Sequence, residues 1–469
     1  MTNHFIDTAS ADTTPLILLA TDQVDSWTAS QDDPVDGWLA SNQFTGETGQ
    51  RVRVPALDGG MKCVVAGIGD GLDAEAVMDV MGGLVETLPA GAYQLETALE
   101  PNLATLAAIG WAQGAYQFDQ YGKKGTKGTK SKERPTLVWP AGADQGYATV
   151  AIDAAKLTRD LVNIPANDMG PAELATAAAD LAQQYGASCE VTIGDNLLTQ
   201  NFPAIHAVGR GSDRAPRLID IIWGDESAPK VTLVGKGVCY DTGGYNLKPG
   251  NSMALMKKDM GGAAHMLGLA QMIMATGVSV RLRVLIPAVE NSISGNAYRP
   301  GDVIDTRKGL HVEIGNTDAE GRVVLADALA LAGEEEPDLL IDFATLTGAA
   351  RAALGPDVPP FFTDDGKLAR ALADQSTLWS DPLWRLPLWA GYQSSIKSTI
   401  GDIRNDGGPF AGSITAALFL QHFVPKDTRW VHFDIYAWNP NKRPGRSIGA
   451  AAQCLRAVYG VIAETYGQD

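Results

Sequence analysis

Residues 231–268 read "VTLVGKGVCYDTGGYNLKPGNSMALMKKDMGGAAHMLG". The segment starts as an apolar, β-forming run and passes through a polar, glycine-bearing stretch. It ends in "AAHMLGLAQMIMATG" (263–277), which has helical periodicity. Its charges sit where the predicted strand stops. Lys236 closes the run inside "LVGKG", Asp241 precedes Thr242-Gly243-Gly244, Lys248 follows, and Asp259 stands just before the helix. Three of them have ordinary readings. Asp259 can be a helix N-terminal charge. Lys248 can be a surface lysine before Pro249, and Asp241 a turn residue before Gly-Gly. Lys236 resists such a reading, because a lysine within a buried strand end must be paired or neutral.

The same strand-then-helix rhythm extends on both sides. Apolar runs recur at 218–224, 231–237, 281–291, 339–349 and 430–438, and the helical segments 263–277, 324–333 and 413–423 lie between them. This alternation predicts an α/β fold with a central mixed, largely parallel sheet covered by helices. Ligands in such sheets sit at the carboxyl ends of the strands. A smaller N-terminal α/β domain is expected over 1–135, with a strand in "KCVVAGIG" (62–69) and a helix in "AEAVMDVMGGLVETL" (74–88). The lysine-rich "YGKKGTKGTKSKERP" (121–135) reads as an exposed loop, or as a basic rim guiding acidic partners. A connecting segment, 136–158, leads to the larger domain, 159–469.

A second unusual stretch is "NTDAEGRVVLADAL" (316–329). Thr317 and Glu320 fit a capping box ahead of a helix. That reading would put Arg322 in the early turns, where the helix dipole disfavours a cation, and would turn Asp318 and Glu320 about 200° apart. An extended Asp318-Ala319-Glu320 would aim both carboxylates the same way. The result would be a cation site with Arg322 beside it for an anion. Asp241, Asp259, Asp318 and Glu320 then form a set of carboxylates from distant segments. Such a set repels itself unless divalent cations lie among it, and oxygen-rich sites suit manganese, magnesium or zinc. A lysine beside two dications would have its pKa driven down and could donate as a neutral amine.

Bulk properties agree. The chain has 37 basic and 55 acidic residues, a net charge of −18. That argues against general nucleic-acid or anionic-membrane binding and suits a partner to cations. Its 45 % apolar content is ordinary for a folded soluble protein. The four cysteines are scattered, which predicts a reducing, cytoplasmic setting rather than a disulfide scaffold. No signal peptide and no membrane span are predicted.

Taken together, "VGKGVCYDTGGYNLKP", "MKKDMGG" and "NTDAEGRVVLADAL" resemble the signature segments of the leucyl aminopeptidase (cytosol aminopeptidase) family. Supporting resemblance lies in "RDLVNIPANDMGPAELA" (159–175), "ATLTGA" (344–349) and "IGDIRNDGGPFAGSITAALFL" (400–420). It covers residues 150–440 well and the N-terminal part loosely. It implies a dinuclear metallo-exopeptidase whose larger domain, 159–469, is catalytic and whose N-terminal domain serves interaction or assembly. By this resemblance the tighter metal site would use Lys236, Asp241, Asp259 and Glu320. The second site would use Asp241, Asp318 and Glu320, with Asp241 and Glu320 bridging. The two ions per subunit would be manganese or zinc, with magnesium and cobalt as alternatives. Lys248 would polarise the scissile carbonyl. Arg322 would hold a bicarbonate acting as general base, completed by backbone groups of Ala319, Gly321 and Leu346. Gly321 would let the backbone come close.

Met256, Thr345 and Gly348 would line the pocket for the first substrate residue, with a leucine-like preference. The expected partners are peptides with a free N-terminus and further copies of the chain in a homohexamer of two trimers. The sequence departs from the family pattern in "FDIYAWNPNKRPGRSIGAAAQCLRAVYG" (433–460), where Tyr436 and "IGAAA" differ. That places the side-chain preference in question. Two competing readings are weaker. A catalytically weak or non-catalytic scaffold or DNA-binding member would need a lost ligand or a basic groove, and this chain has neither. A two-metal phosphoesterase normally brings histidine ligands, whereas His265, the histidine near these motifs, reads as a packing residue.

Overall fold

A computed structural model of the chain describes residues 4–31, 33–121 and 134–467. Most of the lysine-rich segment 121–135 therefore lies outside the described residues. The chain divides into two compact units. One comprises 1–152, 377–380 and 441–448, and the other comprises 153–376, 381–440 and 449–469.

In the first unit six strands pair in the order Phe5–Ile6, Thr136–Val138, Ala92–Leu95, Thr14–Leu19, Met61–Gly67, Arg51–Pro55. All neighbours are parallel except Met61–Gly67 with Arg51–Pro55. The predicted helix is Ala74–Thr87, started by the Asp73 carboxylate accepting from Ala76 N. Its buried face and the helix Pro101–Ala115 pack with the sheet around Leu16, Val64 and Trp111. The stretch 136–158 contributes Thr136–Val138 to this sheet and then enters the helix Gln145–Asn163.

The second unit is built on a mixed sheet. Its order is Trp384–Arg385, Pro360–Phe362, Trp430–Asp434, Leu339–Ala344, Lys230–Gly235, Arg281–Asn291, Arg217–Trp223, Ser188–Ile193, and Gly237–Asp241 pairs off this path with Arg281–Asn291. The centre is parallel, from Trp430–Asp434 through Leu339–Ala344 and Lys230–Gly235 to Arg281–Asn291. Antiparallel strands lie on either side. The central strands are continuous buried runs, as both-face coverage demands. The helices Gly261–Thr276 and Glu320–Gly333 are buried almost all round. The sheet is mixed, its centre parallel, and helices cover it, as the alternation predicts. Among the described residues no helix is long and apolar enough to cross a membrane.

Candidate metal centre

The carboxyl ends of the parallel strands converge. Lys236 follows Lys230–Gly235, Asp241 ends Gly237–Asp241, Asn291 ends Arg281–Asn291, Thr345 follows Leu339–Ala344, and Asp434 ends Trp430–Asp434. Asp259 comes from the 3-10 turn Met256–Met260, just before the helix Gly261–Thr276. Carboxylate oxygens of Asp241, Asp259 and Glu320 lie within 4.8 Å of one another, and all three residues are buried.

Lys236 sits inside this cluster. Its Nζ is 2.5 Å from Asp259 Oδ2 and 2.8 Å from Glu320 Oε1, and it donates to Thr345 O at 3.2 Å. Burial pulls this amine down, yet Asp259, Glu320 and Asp241 together hold it above its ordinary value. The lowered pKa expected from the sequence thus does not arise from the protein's own charges. Lys248 Nζ lies 2.8 Å from Asp241 Oδ2 and also pairs with Asp318 Oδ1. Burial opposes its charge, and the surrounding carboxylates, Asp241 first, outweigh that and keep it cationic. Asp241 Oδ1 accepts from Gly243 N at 2.9 Å and Asn291 Nδ2 at 2.8 Å. Gly243 and Gly244 have φ of +87° and +62°, which only glycine adopts without strain. A side chain on Gly243 would press on Asn246 O and Lys248 N.

The segment 316–320 differs from the extended reading. Asn316–Ala319 forms a turn, Ala319 has φ −111° and ψ 38°, and the helix begins at Glu320. Thr317 does not cap the helix. Its Oγ1 donates to Gly243 O at 2.7 Å and accepts from Asn246 N at 2.8 Å, tying this turn to the Gly-Gly turn. Arg322 falls in the first helical turn after all. The dipole's objection is offset because its Nη1 donates to Asn405 O at 2.8 Å. Gly321 admits a different neighbour from the one expected. A Cβ there would meet Lys236 Cε at 2.5 Å and Nζ at 2.7 Å, so the absent side chain makes room for the lysine.

Some buried atoms lack partners. Glu320 Oε2 has no hydrogen-bond partner among the described residues, and Glu320 Oε1 is near Lys236 without hydrogen-bond geometry. Burial and then Asp241 push the Glu320 carboxyl up to about 8, and the same two causes push Asp318 up to about 6. Buried carboxylate oxygens without donors, set among other carboxylates, are the environment a divalent cation relieves. The donor set of oxygens and one amine therefore fits divalent metals. Arg322 is buried, its Nε is unpartnered, and no carboxylate lies within ion-pair distance among the described residues. The backbone groups expected beside it are partly engaged. Ala319 N donates to Asn316 O at 3.2 Å, and Leu346 N donates to Asp434 Oδ1 at 3.0 Å.

A cavity of about 250 Å³ opens onto the cluster. Met256, Thr345 and Gly348 line it together with Lys236, Asp241, Lys248, Asp259, Asp318 and Glu320, whereas Arg322, Ala319 and Gly321 are not in its wall. Thr345 also donates from Oγ1 to Asp259 Oδ1 at 2.8 Å. His265 is a packing residue, as expected. Its Nδ1 is 2.6 Å from Gly261 O and its Nε2 accepts from Gln453 N at 3.0 Å.

These features have counterparts in known proteins. The sequence profile of the cytosol aminopeptidase family, catalytic domain, matches residues 156–458, and that of the M17 aminopeptidase N-terminal domain matches 14–132. The chain belongs to the cytosol aminopeptidase family. The second profile gives the N-terminal part a firmer likeness than the sequence reading did. A probable cytosol aminopeptidase of Parasynechococcus marenigrum is 37 % identical over 438 residues, 90 % of each chain. The crystal structure of a cytosol aminopeptidase from Coxiella burnetii superposes with a TM-score of 0.93 at 46 % identity, covering 99 % of this chain and 100 % of that one. The bottromycin maturation enzyme BotP, solved in complex with Mn, gives 0.86 at 31 % identity over 97 % and 100 %. Family membership makes the chain a peptidase of aminopeptidase type.

Four residues of the site were not singled out in the sequence. They are Asn291 and Tyr298, which fix Asp241 and the Thr317 carbonyl, Asn405 on Arg322, and Asp434, which accepts from Leu346 N and Thr347 N. Asn291 ends the predicted strand 281–291, so the strand-end rule could have found it, whereas Asp434 ends the observed strand Trp430–Asp434 but falls inside the predicted run 430–438.

Proposed function

We propose that the chain removes N-terminal amino acids from peptides with a free amino terminus, using two divalent ions, manganese or zinc, per subunit. The observation that carries this reading is the buried cluster of Asp241, Asp259 and Glu320 with an orphaned Glu320 oxygen and Lys236 at its heart. Lys236, Asp241, Asp259 and Glu320 would hold the tighter ion. Asp241, Asp318 and Glu320 would hold the second. When bound, such ions supply Lewis acidity that activates water and polarises the scissile carbonyl.

The chain's own groups do the rest. Asn291 Nδ2 and Gly243 N orient Asp241, and Thr345 Oγ1 orients Asp259. Lys248 is a cation at the cavity wall, placed to stabilise a developing oxyanion. Arg322, a buried guanidinium with an unpartnered Nε, would hold an anion such as bicarbonate, which when bound would supply a general base. The scaffold reading is not favoured, because every ligand position is retained. Met256 and Gly348, both in the cavity wall, would contribute apolar surface for a leucine-like first residue. Assembly into a hexamer is supported by large exposed aromatics, with Trp384 62 %, Trp389 56 % and Phe410 82 % exposed.

The test is a pair of substrates. Leucyl amides should be hydrolysed by the metal-loaded protein, and their N-acetyl counterparts should not, because acetylation removes the amine lone pair. Equal cleavage of both would overturn the exopeptidase reading.

A further inference from the structure

The sheet of the smaller unit reverses its strand order at Thr14–Leu19. From there the chain goes to Arg51–Pro55 and Met61–Gly67 on one side, then to Ala92–Leu95 and Thr136–Val138 on the other. Open α/β sheets bind ligands at the carboxyl ends of the strands where such a reversal occurs. The register shows a crevice opening at that place. Thr14–Leu19 pairs with Met61–Gly67 as far as Leu19, but with Ala92–Leu95 only as far as Leu16. Past Glu96 N, which donates to Leu16 O at 2.9 Å, a hydroxyl stands in for the missing strand. Thr97 Oγ1 accepts from Leu18 N at 2.7 Å and donates to Leu18 O at 3.1 Å. A cavity of about 420 Å³ lies here, with Ile17 and Leu19 as apolar lining and Trp27 and Glu96 in its wall.

The polar groups of this wall are of two kinds. The neutral ones are engaged: Gln23 Oε1 accepts from Ala20 N at 3.0 Å, Ser26 Oγ donates to Gln23 O at 3.0 Å, and the Thr97 hydroxyl is held by Leu18. The half-buried Trp27 ring and the exposed Glu96 carboxylate are not. Among the described residues no cation stacks on that ring or pairs with that carboxylate. No lysine, arginine or histidine lines the cavity. Asp22 and Asp25, exposed on the same turn and helix as Gln23 and Trp27, add to the negative field. A phosphorylated ligand would meet no counter-charge there. A carboxylate and an indole face sharing one cavity are the complement of an ammonium group. We propose that this crevice binds an aliphatic ammonium compound, its charged nitrogen held by Glu96 and the Trp27 ring and its methylenes laid on Ile17 and Leu19. The site lies wholly within the smaller unit and does not depend on the peptidase reading.

The test is calorimetric titration of the full-length, Mn²⁺-loaded protein at physiological ionic strength, where attraction to exposed charge is screened. Putrescine should bind at one site per chain. Butane-diol of the same length, which lacks the charge, should bind at least about tenfold more weakly, the scale of a charged hydrogen bond. Glu96→Gln should weaken putrescine about tenfold. Trp27→Leu, which keeps an apolar side chain on the helix, should weaken it about threefold to tenfold. Glu96→Lys should abolish it. Glu96 is exposed, so its variants are expected to fold with an unchanged melting temperature. Putrescine uptake that is equal in the parent and in Glu96→Lys would be general attraction to the net charge of −18, or binding elsewhere, and overturns the proposal. Equal affinity for putrescine and the diol overturns the ammonium assignment, and no binding of putrescine to the parent overturns the site.

Discussion

Lys236 and Lys248 carry the same amine in different company. Lys236 is wedged between Asp259 and Glu320, and its side chain is 3 % exposed. Lys248 bridges Asp241 and Asp318, and its side chain is 14 % exposed toward the cavity. Lys236→Met should therefore lower metal content and turnover together. Lys248→Met should keep two ions per chain and lose about 10²–10³ in kcat, the usual scale for one oxyanion-stabilising donor. Elemental analysis and rate on the same samples separate the two roles, and a Lys236→Met variant that binds two ions with parental affinity would remove Lys236 from the ligand set. Arg322→Ala should keep both ions and slow turnover, with added bicarbonate recovering less activity than in the parent. Loss of an ion from that variant would contradict its assignment to the anion.

At the scale of elements, the turn 316–319 and the helix from Glu320 show what the sequence could and could not reveal. The charges of "NTDAEGR" were legible because they interrupt apolar runs. Their geometry was not. A period of two and a residue just ahead of a helix both let Asp318 and Glu320 converge, and the sequence offers no way to tell them apart. The helix start was decided by Thr317, whose hydroxyl and amide bond to Gly243 O and Asn246 Oδ1, about 70 residues away in the chain. Gly321 is where this helix meets the lysine. Gly321→Ala should displace Lys236, lower tight-site metal content and cost roughly 1–3 kcal/mol by overpacking. Unchanged metal affinity would argue against the close approach. The helix Gly261–Thr276 carries a pH signature. Burial lowers His265 to about 4 from an ordinary 6.5, so folding favours the neutral ring. Its contribution is present above 6.5 and is lost as pH falls from 6.5 toward 4, on the order of 3 kcal/mol in all. Melting of chelator-treated protein should show that slope, and His265→Gln should flatten it. An equal slope in both would assign the acid sensitivity elsewhere.

For the whole molecule, the parallel centre of the larger sheet was readable because strands buried on both faces are continuous apolar runs, such as "LLIDFA" and "WVHFD". The edge strand Trp384–Arg385 and its neighbour Pro360–Phe362 are too short to stand out from loops. The convergence of the carboxylates Asp241, Asp259 and Glu320 was readable because their charges interrupt apolar runs. Asn405, which holds Arg322 from 83 positions away, sits in "IRNDGGP", where asparagine reads as an ordinary turn residue. The exposed Trp384, Trp389 and Phe410 lead to a further expectation. Sedimentation should give a hexamer, and Trp389→Glu should shift it to smaller species, whereas a parental monomer would contradict the assembly reading. The central claim is tested most directly by titrating Mn²⁺ into chelator-stripped protein while measuring bound metal and leucyl-amide hydrolysis in the same samples. Activity should appear only with bound metal and reach its plateau at two ions per chain. Full hydrolysis by the stripped protein, or saturation of binding with no activity, would contradict the account.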